Sequence, residues 1–362
     1  MMSGNADDFE AVVKSSPSEA VAAFAARKGV LARVQHALHV NPALVPLFVL
    51  VASIVIFGLL LGSKFFSPFA LTLILQQVQI VGIVAAAQSL VILTAGIDLS
   101  VGAIAVLSSV IMGQFTFRYG MPVELAVVFG LAFGTAIGAI NGWLVAAMRL
   151  PPFIVTLGMW QIVLAANFLY SANETIRSQD IEAQAPMLQL LGTTFKIGAG
   201  PDGRGGATFT YGVIAMVLIF AFLSYVLSQT AWGRHIYAVG DDPEAAQLSG
   251  VNVKGTLISV YAVTGFICAI AGWALIGRIG SVSPTSGQLL NIESITAVVI
   301  GGISLFGGRG SILGPLFGAL IVGVFTLGLR LAGADAQWTF LLIGALIIGA
   351  VAVDQWIRKV SA

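Results

Sequence analysis

The chain has 362 residues, of which 58% are hydrophobic and only 9% are charged, and its formal net charge is +1. A water-soluble globular domain carries about 25% charged residues, so the composition excludes that class and indicates a membrane protein. The near-zero net charge offers no basic surface for nucleic acid, and a single cysteine, Cys268, excludes an internal disulfide and a cysteine-based metal cluster.

Residues 1–42 form a polar, Ala-rich tail of mixed charge. Within this tail, SPSEAVAAFAARKGVLARVQHAL has the amphipathic pattern of a helix, which either lies on the membrane surface or is solvated on all sides. The tail contains no apolar run followed by a small-residue cleavage site, so the sequence predicts no removable signal peptide. We expect the first apolar run to act as an uncleaved anchor.

Apolar runs of about 20 residues, the length that crosses the hydrocarbon core of a bilayer, follow one another from residue 43 to residue 356. They predict an all-α polytopic membrane protein with about ten transmembrane helices. An even number of spans puts both termini on one side, and the basic residues flanking the first and last runs indicate the cytoplasm for residues 1–42 and 357–362. The predicted spans are 43–62, 71–94, 99–117, 123–148, 152–170, 211–230, 255–278, 289–305, 312–331 and 337–356.

Polar side chains share a helix face in two of these spans. Gln77 and Gln88, three turns apart, lie on one face of the second span, and Thr156, Trp160 and Asn167 lie on one face of the fifth. Such groups either line a polar path through the membrane or hydrogen-bond neighbouring helices.

Two carboxylates occur within or beside the apolar runs. Asp98 lies between the second and third spans, and we expect it to cap a helix that begins at Leu99. Glu293 lies among polar residues of the eighth span, which we place at the outer mouth of a cavity. Because intramembrane carboxylates carry protons or sodium in many transporters, an ion-coupled secondary transporter that uses Asp98 and Glu293 is an alternative function.

Glycines recur at intervals of four residues in two spans. This small-residue spacing lets membrane helices approach closely, so it predicts tight packing and no chemistry. The glycines are Gly130, Gly134, Gly138 and Gly142 in the fourth span and Gly314 and Gly318 in the ninth.

Two glycine-rich strings imitate nucleotide-binding motifs. GAGPDG, residues 198–203, matches GxGxxG but lies in a predicted outer loop, 171–210, rather than between a strand and a helix. GGISLFGGRGS, residues 301–311, lacks the lysine and hydroxyl that hold phosphate and magnesium. No histidine pair has zinc-binding spacing. We therefore expect this chain not to be an enzyme, to bind no metal or cofactor, and not to hydrolyse ATP itself.

A predicted cytoplasmic loop, residues 231–254, contains the acidic string GDDPEAAQLSG at 240–250. Asp242 suits a helix N-cap, Pro243 the first helical position and Glu244 the first turn. The string is either an ordinary capped loop helix or a short helix that docks in a groove of a soluble partner. Its small apolar face comprises Ala245, Ala246 and Leu248, and Gly250 ends it.

Glu244-Ala245-Ala246 followed by Gly250 resembles the EAA motif of permease subunits in bacterial ABC importers. Three further strings, TAGIDLSVGA at 94–103, NGWLVAAMRLPPFIVTLGM at 141–159 and AVVIGGISLFGGRGSILGPLFGALIVG at 297–323, extend the resemblance. With GRHIYAVGDDPEAAQLSGVNV at 233–253, they make the chain from about residue 45 resemble the ribose/xylose/fructose-type monosaccharide permeases.

The resemblance implies that 43–356 is a permease domain in the bacterial inner membrane, which passes a sugar from a periplasmic binding protein to the cytoplasm. ATP and magnesium then belong to partner ATPase subunits, and a second permease copy completes the importer. Fructose, ribose, xylose and galactose all stay open as the sugar. The implied ATPase-coupling residues are Asp241, Asp242, Pro243, Glu244, Ala245, Ala246 and Gly250. The candidate sugar-pathway residues are Gln77, Gln88, Asp98, Thr156, Trp160, Asn167, Asn291 and Glu293.

Overall fold

The computed structural model describes residues 43–198 and 206–361. The tail 1–42, with its predicted surface helix, and most of the GAGPDG string lie outside these residues. In chain order the elements are α1 (Leu44–Leu61), α2 (Pro68–Leu93), α3 (Val101–Tyr119), α4 (Val123–Ala147), α5 (Pro152–Ser171), α6 (Ser178–Gln184), β1 (Thr194–Ile197), β2 (Ala207–Thr210), α7 (Tyr211–Gln229), α8 (Ala231–Asp241), α9 (Pro243–Leu248), α10 (Val253–Ile279), α11 (Leu290–Ile300), α12 (Leu313–Leu331) and α13 (Ala336–Ser361), with 3-10 turns at Gly62–Lys64 and Pro186–Gly192.

Within the described ranges, eight helices are long and apolar enough to cross a membrane: α1 to α5, α7, α10 and α12. Each one matches a span predicted from the sequence, with ends that differ by a few residues. Pro68 and Pro152 occupy the first position of α2 and α5, where the missing N–H breaks no helical hydrogen bond. The chain is thus an all-α polytopic membrane protein.

Of the two remaining predicted spans, one contains only a short helix and the other lies in α13. The predicted run 289–305 contains only the 11-residue helix α11. At about 16 Å this helix is too short to cross a hydrocarbon core of about 30 Å. The chain leaves the helical conformation at Gly301 and folds as a loop up to α12. In α13, the apolar portion identified among the described residues is 337–352.

Three helices form the interior of the bundle. The most apolar stretches of α2, α3 and α10 are buried along 67%, 78% and 67% of their length, whereas those of α1 and α5 are buried along only 22%. Exposed leucines on the peripheral helices, such as Leu59 and Leu169, give them an apolar outer face that suits contact with lipid tails.

Between α5 and α7, the described residues 172–198 and 206–210 pack on one end of the bundle. Gln189 Nε2 donates to the carbonyl of Gly280 at 2.9 Å, and Trp273 Nε1 donates to the carbonyl of Met187 at 3.2 Å. Strands β1 and β2 pair antiparallel, and the Thr208 N–H donates to Thr72 Oγ1 of α2 at 2.8 Å. This loop therefore marks the bundle end at which α2 begins and α10 finishes.

The repeated glycines lie at helix contacts. A Cβ at Gly134 would lie 2.7 Å from the carbonyl oxygen of Gly265 in α10, and a Cβ at Gly142 would lie 2.8 Å from Cα of Ile258. Any side chain at these positions would push the two helices apart. Gly138 also faces the α10 backbone, Gly130 faces Met112 of α3, Gly314 faces Gly301, and Gly318 faces Ala297 of α11.

Candidate functional site

The 240–250 string forms a capped helix on the surface. Helix α9 begins at Pro243, and Asp242 Oδ1 accepts hydrogen bonds from the backbone N–H groups of Glu244 at 2.9 Å and Ala245 at 3.0 Å. This is the N-terminal arrangement that the sequence predicts, because a carboxylate satisfies N–H groups that have no partner in the first turn. Helix α8 precedes α9 directly, so most of the predicted loop 231–254 is helical.

The C-terminal end of α9 closes in a Schellman motif. The Val251 N–H donates to the carbonyl of Ala246 and the Gly250 N–H donates to that of Gln247, both at 3.0 Å. Gly250 has a φ of +86°, a left-handed conformation that glycine adopts without a steric penalty. The glycine of the motif therefore ends the helix and turns the chain toward α10.

The exposed face of α9 differs from the predicted apolar face at one position. Ala246 is buried against the bundle, whereas Leu248 is 90% exposed. Asp241, Asp242, Glu244 and Ala245 are exposed beside it. The surface of α9 thus combines one large apolar side chain with three carboxylates. Such a surface suits contact with another protein better than burial among lipid tails.

A cavity of about 470 Å³ lies between α2, α10 and α11. This volume falls within the range of about 300–1,000 Å³ typical of small-molecule sites. The cavity lies near the loop 171–210, because Arg278 is two residues from Gly280, to which Gln189 is bonded. Its polar lining is Gln77, Arg278, Thr285, Gln288 and Glu293, and its apolar lining includes Ile80, Val81, Leu275, Leu289 and Leu290.

Arg278 lines this cavity and joins two of its helices. Its Nη2 atom donates to Oε1 of Gln77, 201 residues earlier in the chain, at 2.6 Å. Glu293 lines the same cavity and supplies the opposite charge. A planar guanidinium with five donors, next to an amide and a carboxylate, can bind several hydroxyl groups of one ligand. Sequence reasoning missed Arg278, because an arginine at the end of an apolar run usually only flanks the membrane.

The two predicted residues of α2 do not share this cavity. Gln77 lines it, but Gln88 is fully buried. The Gln88 amide faces the backbone of Asp98. In the amide orientation that satisfies both groups, its nitrogen donates to the Asp98 carbonyl at 3.0 Å and its oxygen accepts from the Asp98 N–H at 3.2 Å. In this structure Gln88 therefore holds the chain between α2 and α3, which corresponds to the helix-joining alternative.

Asp98 is also fully buried in this connection. Its Oδ1 atom accepts from the Ser100 N–H at 2.7 Å and from the Ser100 hydroxyl at 2.6 Å. Helix α3 begins at Val101, two residues later than predicted, so the expected cap of a helix at Leu99 is wrong. Asp98 instead fixes the turn that precedes α3, and its Oδ2 atom has no partner in the described residues.

The remaining candidate pathway residues join helices to the segments between them. Thr156 donates to the carbonyl of Ile97 at 2.9 Å, and Asn167 donates to that of Pro284 at 2.8 Å. Asn291 donates to the carbonyl of Leu99 at 3.4 Å. Trp160 packs beside the apolar cluster of Ala103, Leu107, Ile111 and Val163. None of these four pathway residues lines the cavity of Gln77 and Arg278.

The described residues contain no group of three or more His, Cys, Asp or Glu side chains arranged to hold a metal ion. Cys268 is buried in the core as a free thiol.

Comparisons with known proteins identify what this arrangement resembles. Residues 70–351 match the family described as "Branched-chain amino acid transport system / permease component". The chain is 69% identical to a fructose import permease protein of Rhizobium meliloti, over 98% of this chain and 97% of that protein. It is 37% identical to a ribose import permease protein of Bacillus subtilis, over 85% and 91%. It is 33% identical to a galactose/methyl galactoside import permease protein of Escherichia coli, over 80% and 88%. No solved structure matches the chain.

Proposed function

Because the chain belongs to the permease-component family of ABC importers, and within it to the sugar import permeases, we propose that it carries a monosaccharide across the membrane in an ATP-driven importer. The fructose import permease of Rhizobium meliloti is 69% identical over nearly the whole chain, so we propose fructose as the first sugar to test. Ribose and galactose, which the names of the relatives at 37% and 33% identity give as their sugars, are the next sugars to test.

One observation carries this proposal: a capped surface helix, α9, presents Leu248 and three carboxylates to a partner. The chain has no phosphate-binding loop, so an ATP-driven function requires an ATPase subunit that docks from outside. We propose that α9 sits in a groove of that subunit, with Leu248 as the apolar anchor and Asp241, Asp242 and Glu244 at the rim. ATP and magnesium would be held by the partner.

We propose that the cavity of Gln77, Arg278 and Glu293 receives the sugar. A sugar has hydroxyl groups around its ring and apolar C–H faces, and the cavity offers charged and amide groups together with Ile80, Val81 and Leu275. An unsatisfied hydroxyl costs about 2–7 kcal/mol in an apolar medium, so a polar lining lowers the barrier to passage. Asp98 and Thr156 would serve the path indirectly, by holding the chain between α2 and α3.

The assembly and orientation follow the same proposal. We propose that the permease lies in the bacterial inner membrane, with both termini and α9 on the cytoplasmic side and the loop 171–210 on the periplasmic side. A sugar-binding protein would deliver its ligand to the cavity at that periplasmic end, and a second copy of the permease would complete the translocation path.

The test is sugar uptake by liposomes that contain this chain with its ATPase subunit and receive the sugar-loaded binding protein. We expect fructose uptake that requires both ATP and the binding protein. Glu244→Arg reverses the charge on α9, so it should abolish uptake and release the ATPase subunit. The control is Glu174→Arg, an exposed position in the loop 171–210, which should leave the ATPase subunit bound.

The ion-coupled alternative makes the opposite prediction. It requires uptake that follows a proton or sodium gradient without the ATPase subunit and disappears with Asp98→Asn. Such a result would overturn the proposed function. The family relationship favours the ATP-driven mechanism, and Oδ1 of Asp98 accepts hydrogen bonds from the neighbouring Ser100.

A further inference from the structure

The glycine-rich string 301–311 forms the loop between α11 and α12. The Ser304 N–H donates to the carbonyl of Arg309, and the Gly307 N–H donates to that of Ser304, both at 3.0 Å. Ile303 and Ile312 are buried beneath it. The loop is therefore folded against the protein, and its contacts can be followed to the elements it joins.

One side of the loop lies directly on the end of α8. A Cβ at Gly307 would lie 2.6 Å from the carbonyl oxygen of Gly240, and a Cβ at Gly308 would lie 2.8 Å from Cα of Asp241. Both glycines also have positive φ, +80° and +68°. The backbone of the loop thus packs directly on the backbone of the helix that leads into α9.

The end of α2 is the third member of this contact. The Gly308 N–H donates to the carbonyl of Leu93 at 3.0 Å. A Cβ at Gly307 would also lie 2.7 Å from the Ala95 nitrogen, and Gly240 faces the Leu93 carbonyl. We name the meeting of residues 93–95, 240–241 and 307–308 the three-way junction.

Tyr237 of α8 also holds the loop, through a hydrogen bond from its side chain. Its hydroxyl donates to the carbonyl of Gly310, 73 residues later in the chain, at 2.9 Å. Burial raises the pKa of the Tyr237 phenol, so the hydroxyl stays protonated and remains a donor at physiological pH.

The junction connects the proposed docking helix with both sides of the cavity. Asp241 ends α8 and is followed at once by Asp242, the N-cap of α9. On one side, α2 connects Leu93 at the junction to Gln77 in the cavity lining, a distance of about 24 Å along the helix. On the other side, α11 carries Glu293 and is followed directly by the glycine-rich loop. Helix α12 packs on α11 through Gly314 and Gly318, so this pair is expected to move as one unit.

We propose that the three-way junction passes the displacement of α9 to α2 and α11, and that Tyr237 is a positioning residue that keeps the glycine-rich loop seated on α8. The inference rests on the proposed function, because it takes α9 as the helix that the ATPase subunit moves. Gln77 and Glu293 lie on the two helices that leave the junction, so a shift there changes the spacing of the cavity lining.

The experiment compares sugar transported with ATP hydrolysed in liposomes containing the complete importer. Tyr237→Phe removes one hydroxyl and leaves the docking face intact. We expect normal binding of the ATPase subunit and a fall of about three- to tenfold in sugar moved per ATP, the loss that one hydrogen bond implies. Gly308→Ala, which adds a Cβ against Asp241, should lower this ratio further.

The matched controls are Tyr225→Phe, on the exposed face of α7, and Gly158→Ala, where an added Cβ meets no atom within 4 Å. Both should retain the native ratio. If Gly308→Ala fails to fold, the amount of sugar moved per ATP by Tyr237→Phe tests the proposal without it. A native ratio in Tyr237→Phe would overturn the junction while leaving the proposed function in place. Absence of ATP-dependent uptake by the native importer would overturn both.

Discussion

Asn141 of α4 donates a hydrogen bond of 2.9 Å to the hydroxyl of Ser100, which in turn donates to Asp98 at 2.6 Å. All three residues are buried. The bond joins two segments that are 41 residues apart in the chain and fixes the connection between α2 and α3. Ser100 is the shared member, because it is the acceptor for Asn141 and a donor to Asp98.

Replacing Ser100 by alanine should therefore destabilise the protein far more than its size suggests. The Asn141 amide loses its acceptor, and Asp98 Oδ1 keeps only the bond from the Ser100 backbone N–H. A buried polar group left unsatisfied costs about 1–3 kcal/mol of folding free energy. We expect a clearly lower melting temperature in detergent. Ser228→Ala is the control, because this exposed hydroxyl donates to the Ser224 and Tyr225 carbonyls of its own helix and accepts from the neighbouring Gln229. Equal melting temperatures of the two variants would contradict the prediction.

The contact between α4 and α10 makes a second prediction. Gly138 faces the carbonyl of Tyr261, so Gly138→Ala forces the helices apart and should cost about 1–3 kcal/mol of stability. The measurement is again the thermal unfolding midpoint in one detergent. Gly158→Ala places the same methyl group in open space on α5 and should leave the midpoint unchanged or raise it.

Leu248 should dominate the affinity of the ATPase subunit. Burial of an exposed leucine contributes about 1.5–3 kcal/mol, so Leu248→Asp should weaken binding about tenfold to a hundredfold. Leu248→Met keeps the apolar volume and should bind within about threefold of the native chain. Both dissociation constants can be measured on the purified permease in nanodiscs. Unchanged binding by Leu248→Asp would place the docking surface elsewhere.

Gly250 should tolerate asparagine better than valine. Its φ of +86° lies in the left-handed region, where a β-branched residue is strained and asparagine is much less so. Gly250→Val should open the last turn of α9 and speed amide exchange over residues 244–251, whereas Gly250→Asn should change it little. No Cβ contact confounds the comparison, because no atom lies within 4 Å. Similar exchange in both variants would show that the turn does not require this conformation.

Arg278 should control the rate of sugar uptake. Arg278→Met removes the bond to Gln77 and the charge opposite Glu293, and hydrogen bonds to charged groups contribute about 1.5–3 kcal/mol. We expect uptake to fall about tenfold or more while the ATPase subunit stays bound. Arg118→Met is the control, because Arg118 is exposed and bonds to the Tyr170 carbonyl outside the cavity. A normal uptake rate in Arg278→Met would remove the cavity from the sugar path.

Local features of this protein could be predicted from the sequence, because their causes lie within a few residues. Apolar length predicted each of the eight helices that, in the part of the chain the structure describes, are long enough to span a membrane. The start of α9 followed from the side chain of Asp242, which bonds to N–H groups two and three residues later. The family could also be predicted from the sequence, because each of its motifs is a continuous stretch of residues.

Only the tertiary structure decided which polar residues meet. Gln77 and Arg278 are 201 residues apart, and no local pattern indicates that Arg278 bonds to Gln77, or that Gln88, on the same helix face as Gln77, is buried against Asp98. The apolar run at 289–305 likewise gave no sign that the helix within it ends at Ile300. The helix ends there because the glycines between 301 and 310 turn the chain so that it packs on α2 and α8. A periodic pattern reports which residues avoid water, whereas the partner of a buried polar group depends on how the helices pack.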